Sequence, residues 1–140
     1  MIKGMERTVN ITVGVMGERP VFRLGLSSIL ELMNVGRVVL EADGPVRLQQ
    51  GLAAGPVPLV LVLQWSCEEH ASMRILDWLG EHYPFVRVLV IADKMSSSER
   101  LLRAGAHGVL GHRPTRDTLC EAVRTVATGR VYRGPDDDPA

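Results

Sequence analysis

The chain reads Leu-Val-Leu-Val-Leu at residues 59–63, with Pro58 before this run and Gln64 after it. A strand with one face in water alternates apolar and polar residues, whereas this run is apolar at every position. Such a run is typical of a central parallel strand that helices cover on both faces. Residues 59–63 therefore predict a parallel sheet with helices on both sides.

Five short runs rich in Val, Ile and Leu recur along the chain, and each is followed by a stretch with helical periodicity. The predicted strands are residues 11–16, 38–41, 59–63, 86–91 and 108–110. This repeated β-α order predicts an α/β fold with a doubly wound, five-stranded parallel sheet. Ligands of such folds bind beyond the carboxyl ends of the strands, so functional residues are expected there.

The predicted helices have one apolar face each. In the first helix the residues expected to face the sheet are Phe22, Leu26, Ile29, Leu30 and Met33. Arg23 and Glu31 fall largely outside this stripe. Further helices are predicted at about 46–53, 66–80 and 116–128, and another is predicted to follow residues 96–99. Gly129 is placed to end the last helix.

The length of 140 residues and the hydrophobic fraction of 46% predict one domain with a single core. This domain is expected to span residues 9–132. A flexible N-terminus is expected at residues 1–8, and an acidic tail or linker that contains Pro and Gly at 133–140.

The charge balance predicts no basic surface, because sixteen Lys and Arg residues equal sixteen Asp and Glu residues in number. Direct contact of this domain with nucleic acid or an anionic membrane is therefore not expected. The longest apolar run is too short to span a bilayer and no signal peptide is recognisable, so a cytoplasmic location is expected. Cys67 and Cys120 form no disulfide framework and no metal pattern, and ordinary packing is expected for both.

Three segments beside the predicted strands carry a family resemblance. Residues 18–26 read Glu-Arg-Pro-Val-Phe-Arg-Leu-Gly-Leu, residues 103–110 read Arg-Ala-Gly-Ala-His-Gly-Val-Leu, and residues 121–124 and 129–132 read Glu-Ala-Val-Arg and Gly-Arg-Val-Tyr. Together they resemble the receiver domain of bacterial two-component response regulators, in particular the NarL/FixJ-type group. The resemblance covers nearly the whole chain. It implies a flavodoxin-like (CheY-like) receiver architecture and a role in signal transduction.

The resemblance also indicates where the chemistry of a receiver would lie. Phosphoryl transfer to a carboxylate needs a nucleophilic Asp, acidic ligands for Mg²⁺, a cation and a hydroxyl that responds to the new group. The two acids after strand one correspond to Gly17 and Glu18. The hydroxyl after strand four corresponds to Ala92, and the lysine after strand five corresponds to His112.

The position of the nucleophilic Asp corresponds to Gln64 or, with a shift of one residue, to Leu63. Gln64 is preferred because it is the first polar residue after the apolar strand. Neither side chain can form an acyl phosphate. These positions therefore predict an atypical receiver, or pseudo-receiver, that has no catalytic residue, no metal ion and no cofactor.

Regulation without phosphorylation is the first function expected. The domain would act in signalling or transcription regulation as a homodimer, through contacts with a protein partner or a linked DNA-binding domain. Its dimer would form through the final α-β-α elements or through helices one and five. Candidate interface residues are Leu101, Leu102, Arg116, Thr118, Arg124 and Thr125.

Sensing of a small molecule is the alternative function. The ligand crevice would be formed by Glu18, Gln64, Trp65, His112 and Arg113. Enzymatic activity is not expected, because the sequence has no Gly-rich phosphate loop after strand one, no nucleophile elbow and no metal-ligand cluster.

Overall fold

The computed structural model describes residues 11–64, 69–92, 98–111 and 113–133 of the chain. Its strands are β1 (Thr12–Met16), β2 (Arg37–Ala42), β3 (Val60–Gln64), β4 (Arg87–Ile91), β5 (Gly108–Leu110) and β6 (Tyr132–Arg133). Its helices are α1 (Pro20–Leu32), α2 (Pro45–Ala54), α3 (Glu69–His82), α4 (Ser98–Arg103) and α5 (Arg116–Ala127). All neighbouring strands pair in parallel in the order β2-β1-β3-β4-β5-β6. The predicted doubly wound α/β fold is confirmed.

The sheet contains one short strand more than the sequence predicts. Strand β6 pairs with β5, and the backbone N–H of Tyr132 donates to the carbonyl of His107 at 3.0 Å. Two residues are too few to show a strand periodicity, so the pattern of side chains carries no sign of this strand. Arg133 thus belongs to the sheet, while residues 1–8 and 134–140 lie outside the described residues.

The core consists of two layers, one on each face of the sheet. Helices α2, α3 and α4 pack on one face, and helices α1 and α5 pack on the other. Strand β3 feeds both layers: Leu61 and Leu63 point to the first, Val60 and Val62 to the second, and each is at most 1% exposed. Burial on both faces explains why β3 is apolar at every position.

The ends of helices α4 and α5 follow the glycines of the sequence. Gly105 has φ +123° and Gly129 has φ +92°. Residues other than glycine rarely adopt such backbone angles. Helix α5 begins with a capping box between Thr115 and Thr118. These local signals fix where the two helices lie relative to β5 and β6.

Helix α1 departs from its prediction at two residues. Leu26 and Leu30 are buried as expected, but Met33 follows the last residue of the helix and is 38% exposed. Its placement in the buried stripe was wrong. Arg23 was expected largely outside that stripe, yet its side chain is only 19% exposed.

Cys120 lies in the layer formed by α1 and α5 and is 4% exposed. Burial is the main cause that raises the pKa of its thiol, which keeps it protonated and poorly reactive. Cys67 lies outside the described residues. No helix in the described ranges combines the length and the apolar character that a membrane span needs.

Candidate functional site

The carboxyl ends of β1, β3 and β4 bring three of the predicted site residues to one edge of the sheet. Met16 pairs with Leu63, so Gly17 follows β1 beside Gln64. Gln64 in turn pairs with Ile91, the residue before Ala92. This edge is where a receiver or a nucleotide-binding α/β protein would hold its ligand.

Strand β3 ends at Gln64, while Leu63 packs in the core. Leu63 is 1% exposed among the residues of α2, α3 and α4. Gln64 is partly buried at the edge, and its amide oxygen Oε1 is fully buried with no hydrogen-bond partner among the described residues. A buried polar atom without a partner costs about 1–3 kcal/mol. The amide therefore has an unused hydrogen-bonding capacity at the carboxyl edge.

Gly17 is buried, and its backbone N–H and its carbonyl are both hydrogen-bonded. Its N–H donates to the carbonyl of Ala42 at 3.0 Å, which ties the end of β1 to β2. A Cβ atom at this position would lie 3.3 Å from Oε1 of Gln64. Any side chain at residue 17 would thus crowd the amide of Gln64.

Ala92 closes β4 with a methyl group and no hydroxyl. It is 5% exposed, and its backbone N–H donates to the carbonyl of Leu110 at 2.9 Å. A methyl group can pack, but it can neither donate nor accept a hydrogen bond. Ala92 itself, the last described residue at the end of β4, therefore offers packing and no polar group.

Arg23 is a site residue that the sequence interpretation missed. Its Nη1 donates to the carbonyl of Gly17 at 2.6 Å, and its Nε lies 3.7 Å from Oε1 of Glu41. Ser27, 7% exposed, donates from Oγ to Oε2 of Glu41 at 3.0 Å. A polar network thus joins the first turns of α1 to the ends of β1 and β2. Its sequence signal was weak: Arg23 and Ser27 are four residues apart and therefore neighbours on a helix.

The remaining crevice candidates are not gathered in the described part of the structure. Glu18 and Arg113 are described and exposed, whereas Trp65 and His112 lie outside the described residues. Mg²⁺ prefers oxygen ligands that include one or two carboxylates. The described residues that end β3 or directly follow β1 and β4 are an amide, a glycine and an alanine, a set that contains no carboxylate ligand for magnesium.

The predicted interface residues differ in how accessible they are. Leu101 is 1% exposed and packs into the core, so its side chain cannot contact a partner. Leu102 is half-buried against the same cluster. Thr118 is engaged in the capping box, and Thr125 donates to the carbonyl of Glu121 at 2.8 Å.

The two arginines of α5 complete the set of interface candidates. Arg116 is exposed, and its Nε lies 3.5 Å from Oδ1 of Asp117, its neighbour in the chain. Arg124 is exposed on the same helix. Helix α1 also presents apolar side chains to solvent, because Val21, Leu24 and Leu32 are 83%, 62% and 81% exposed.

Comparison with known proteins finds transcriptional regulatory proteins and receiver domains of response regulators. No protein-family model matches the chain. The chain is 32% identical over 126 residues to the transcriptional regulatory protein UhpA of Salmonella typhimurium, which covers 90% of this chain and 63% of the relative. It therefore spans less than two thirds of that relative's length.

Solved structures agree with the sequence relatives. The signal receiver domain of the putative response regulator NarL from Mycobacterium tuberculosis matches with a TM-score of 0.74 and 28% identity, over 87% of this chain and 99% of that one. The receiver domain of the stress response regulator RcsB from Escherichia coli matches with a TM-score of 0.74 and 18% identity. That match covers 89% of this chain and 98% of the other, and it supports the fold alone.

Proposed function

We propose that this chain, a response regulator receiver domain of the NarL/FixJ/LuxR type, regulates transcription through constitutive protein contacts and without accepting a phosphoryl group. The observation that carries the proposal is the amide of Gln64 at the carboxyl end of β3. An amide lacks the negative charge with which a carboxylate attacks phosphorus and binds a metal ion. A receiver with Gln64 at this position needs a means other than phosphorylation to control its interaction surface.

The neighbours of Gln64 support the same conclusion. Gly17 contributes no carboxylate, and Ala92 contributes no hydroxyl that could follow a new phosphoryl group. The guanidinium of Arg23 is bonded to the carbonyl of Gly17 and places a permanent positive charge beside the end of β1. This hydrogen bond occupies the carbonyl of Gly17 from within the chain.

Phosphoryl transfer can be tested directly. The protein is incubated with acetyl phosphate and Mg²⁺, and its intact mass is measured beside that of a phosphorylating receiver treated in the same way. We expect an added phosphoryl mass on the reference receiver only. The matched variant Gln64→Asp is also expected to stay unmodified, because Gly17 and Ala92 still lack a metal-binding and a responsive group. A phosphoryl mass on the unaltered chain that maps to residues 58–70 would overturn the proposal.

The constitutive contact that we propose is a homodimer that forms through the outer surface of α1. Val21, Leu24 and Leu32 are more than half exposed there, whereas Leu101 on α4 is buried. Positions 21, 24, 28 and 32 lie on one side of the helix, three or four residues apart. Helix α5 packs on the same face of the sheet as α1, so Arg124 remains a candidate at the margin of this interface.

Light scattering over a range of concentrations tests the dimer. The variant Leu24→Arg places a charge in the apolar stripe and is expected to weaken self-association by about tenfold or more. Val57→Arg makes the same kind of change at a residue that is 45% exposed before β3, and it should leave association unchanged. A monomeric mass of the unaltered protein at about 100 micromolar, far above the micromolar affinity of a transient contact, would leave no support for the dimer.

A linked DNA-binding domain gives the dimer its role in this proposal. The relatives are named transcriptional regulatory proteins, and this chain covers 63% of the length of UhpA. A two-fold dimer would let two such domains meet two half-sites on DNA. The reading frame beyond Ala140 tests this step, and a frame without any DNA-binding segment would favour a separate protein partner.

A ligand sensor remains a second candidate because of one observation: Oε1 of Gln64 has no hydrogen-bond partner among the described residues. A small molecule with an N–H or O–H donor could satisfy this atom at the edge of the sheet. Ligands that bind only the native state raise its apparent stability. A thermal-shift screen of metabolites should therefore find a compound whose effect is lost in Gln64→Met; the absence of any shift would exclude the sensor.

A further inference from the structure

Helices α2 and α3 leave a groove between them on the outer surface of the domain. Its volume is about 500 Å³. The buried side chains of Leu48 and Ile75 form an apolar floor, and the partly buried ring of Trp78 forms part of a wall. The other lining residues are Pro45, Gln49, Arg74, Asp77 and Glu81. Val46, next to Pro45 in α2, is 67% exposed.

The charged residues of the groove lie along one side of α3. Arg74, Trp78 and Glu81 are spaced by four and three residues, so they follow one another on one side of the helix. Arg74 and Glu81 are therefore about 10.5 Å apart along the helix axis, at 1.5 Å per residue. Within the described part of the chain, Arg74, Asp77 and Glu81 form no side-chain hydrogen bond or ion pair. The groove thus presents charges that the domain itself does not neutralise.

This surface is complementary to itself. When two copies of α3 are placed antiparallel about a two-fold axis between residues 77 and 78, Arg74 of each copy lies opposite Glu81 of the other. The same rotation sets Asp77 opposite Trp78, whose indole N–H can donate to a carboxylate. Both pairs form twice, because a two-fold contact uses the same patch on each subunit.

We propose that the groove between α2 and α3 is a second self-association surface, occupied by α3 of another copy of this chain. The paired charges fix the antiparallel register, and the exposed part of the Trp78 ring is removed from water. A small ligand or an unrelated peptide would use the apolar floor but would gain nothing from this two-fold charge order. Charge complementarity therefore favours a second copy.

This inference goes beyond the proposed α1 dimer and does not depend on it. Helix α1 covers the opposite face of the sheet from α2 and α3. A molecule with two separate two-fold surfaces can form tetramers or longer assemblies, whereas one surface stops at a dimer. The α3 contact would thus allow receiver dimers to associate further.

Sedimentation velocity of the full chain in the Leu24→Arg background tests the α3 contact alone. We expect a dimer to persist in this background. Arg74→Glu and Glu81→Arg should each weaken it by about tenfold, because each places like charges opposite one another twice. The double variant Arg74→Glu/Glu81→Arg should recover the affinity within about threefold, since the opposite pairs are restored in reverse order. Arg130→Glu, a reversal at an exposed residue outside the groove, is the control and should have no effect.

The outcomes separate the two interfaces. A monomer in the Leu24→Arg background at about 100 micromolar would overturn the α3 contact and leave the α1 dimer standing. Single reversals without effect would overturn it as well. If both single variants are weak and the double variant stays weak, the charges do not pair with each other and the second copy is the wrong occupant. A dimer that responds to Arg74 and Glu81 but not to Leu24 would support α3 and contradict α1.

Discussion

Among the described residues, the two ends of the parallel sheet differ in how completely their polar groups are hydrogen-bonded. At the amino end, His107 forms two hydrogen bonds with Val88. The backbone N–H of His107 donates to the carbonyl of Val88 at 2.8 Å, and the ring atom Nδ1 of His107 accepts from the backbone N–H of Val88 at 2.9 Å. The carbonyl of His107 accepts from Tyr132 at 3.0 Å. At the carboxyl end, Oε1 of Gln64 is buried without a partner among the described residues.

This difference separates residues that build the scaffold from residues that would carry chemistry. The turn from α4 into β5 has glycines for structural reasons: Gly105 has φ +123°, and a Cβ at Gly108 would lie 2.9 Å from Cδ1 of Leu89. The carboxyl edge has a different set of side chains, and nothing in the fold depends on a carboxylate at β3 or a hydroxyl at β4.

The largest expected effect concerns the amino end, where Gly108→Ala should destabilise the domain by about 2 kcal/mol. A Cβ there would lie 2.9 Å from Cδ1 of Leu89, 3.0 Å from Cγ1 of Val126 and 3.1 Å from Cβ of Tyr132. All three neighbours are buried, so the new methyl group can be placed only by moving β4, β6 or α5. Urea denaturation followed by circular dichroism measures the change.

Gly80→Ala is the matched control for that experiment. Gly80 lies inside α3, and an added Cβ meets nothing within 4 Å. Alanine is the better helix former, so this variant should gain about 0.5–1 kcal/mol. If Gly108→Ala were as stable as Gly80→Ala, the tight packing of the amino end would be refuted.

The second prediction concerns Arg23, whose side chain is hydrogen-bonded at the carboxyl end of the sheet. Arg23→Ala removes the hydrogen bond to the carbonyl of Gly17 and the contact with Glu41. Hydrogen bonds to charged groups contribute about 1.5–3 kcal/mol, and partial exposure places the expected loss near 1.5 kcal/mol. Arg116→Ala removes an ion pair whose side chains are 62% and 84% exposed, and it should change stability little. Equal losses in the two variants would show that the network around Arg23 adds no stability.

The sequence was sufficient for the fold because its signals are local or periodic. The apolar run of β3, the stripe of α5 and the glycines at 105 and 129 each specify their element without knowledge of the rest. Helix α4 shows the limit of this approach. With six residues it offers under two turns of periodicity, so Leu101 was expected at an interface although it is 1% exposed.

The candidate site was less predictable because it depends on contacts between distant segments. Arg23 reaches Gly17 through the turn before α1 and meets Glu41 from β2, and the sequence pattern carries neither contact. The strand register raises the same difficulty. Leu63 and Gln64 could be told apart only when the pairing of β3 with β1 and β4 was known, since one residue of shift exchanges the two faces.

The third prediction tests the unpaired amide itself. Gln64→Met keeps the length of the side chain but removes the buried oxygen, so the domain should gain about 1 kcal/mol of stability. Gln50→Met is the control, because Gln50 is exposed on α2 and loses no buried polar group. Thermal unfolding by calorimetry compares the two. A destabilised Gln64→Met would mean that the amide is satisfied in solution, by water or a ligand, and that the two ends of the sheet are bonded alike.

The smallest effect is expected from the pH dependence of the amino end. Burial is the main cause that lowers the pKa of His107 from its ordinary value of 6.5, and the positive charge of Arg87 adds to it. The neutral ring is the form that accepts the N–H of Val88 through Nδ1. Above pH 6.5 the imidazole is neutral in the folded and the unfolded chain, so this residue adds no pH dependence there. As the pH falls below that value, the unfolded chain binds a proton before the folded one does, and stability declines.

His107→Asn isolates this contribution, because the amide oxygen of Asn can replace Nδ1 as an acceptor but does not titrate. Urea unfolding of both proteins is measured between pH 5 and 8, and other titrating groups cancel in the difference. The stability of the unaltered protein should fall relative to the variant on the acidic side of pH 6.5 and run parallel to it on the basic side. A constant difference across this range would mean that the folded chain binds the proton as readily as the unfolded one, and that the ring of His107 is not held neutral by its bond to Val88.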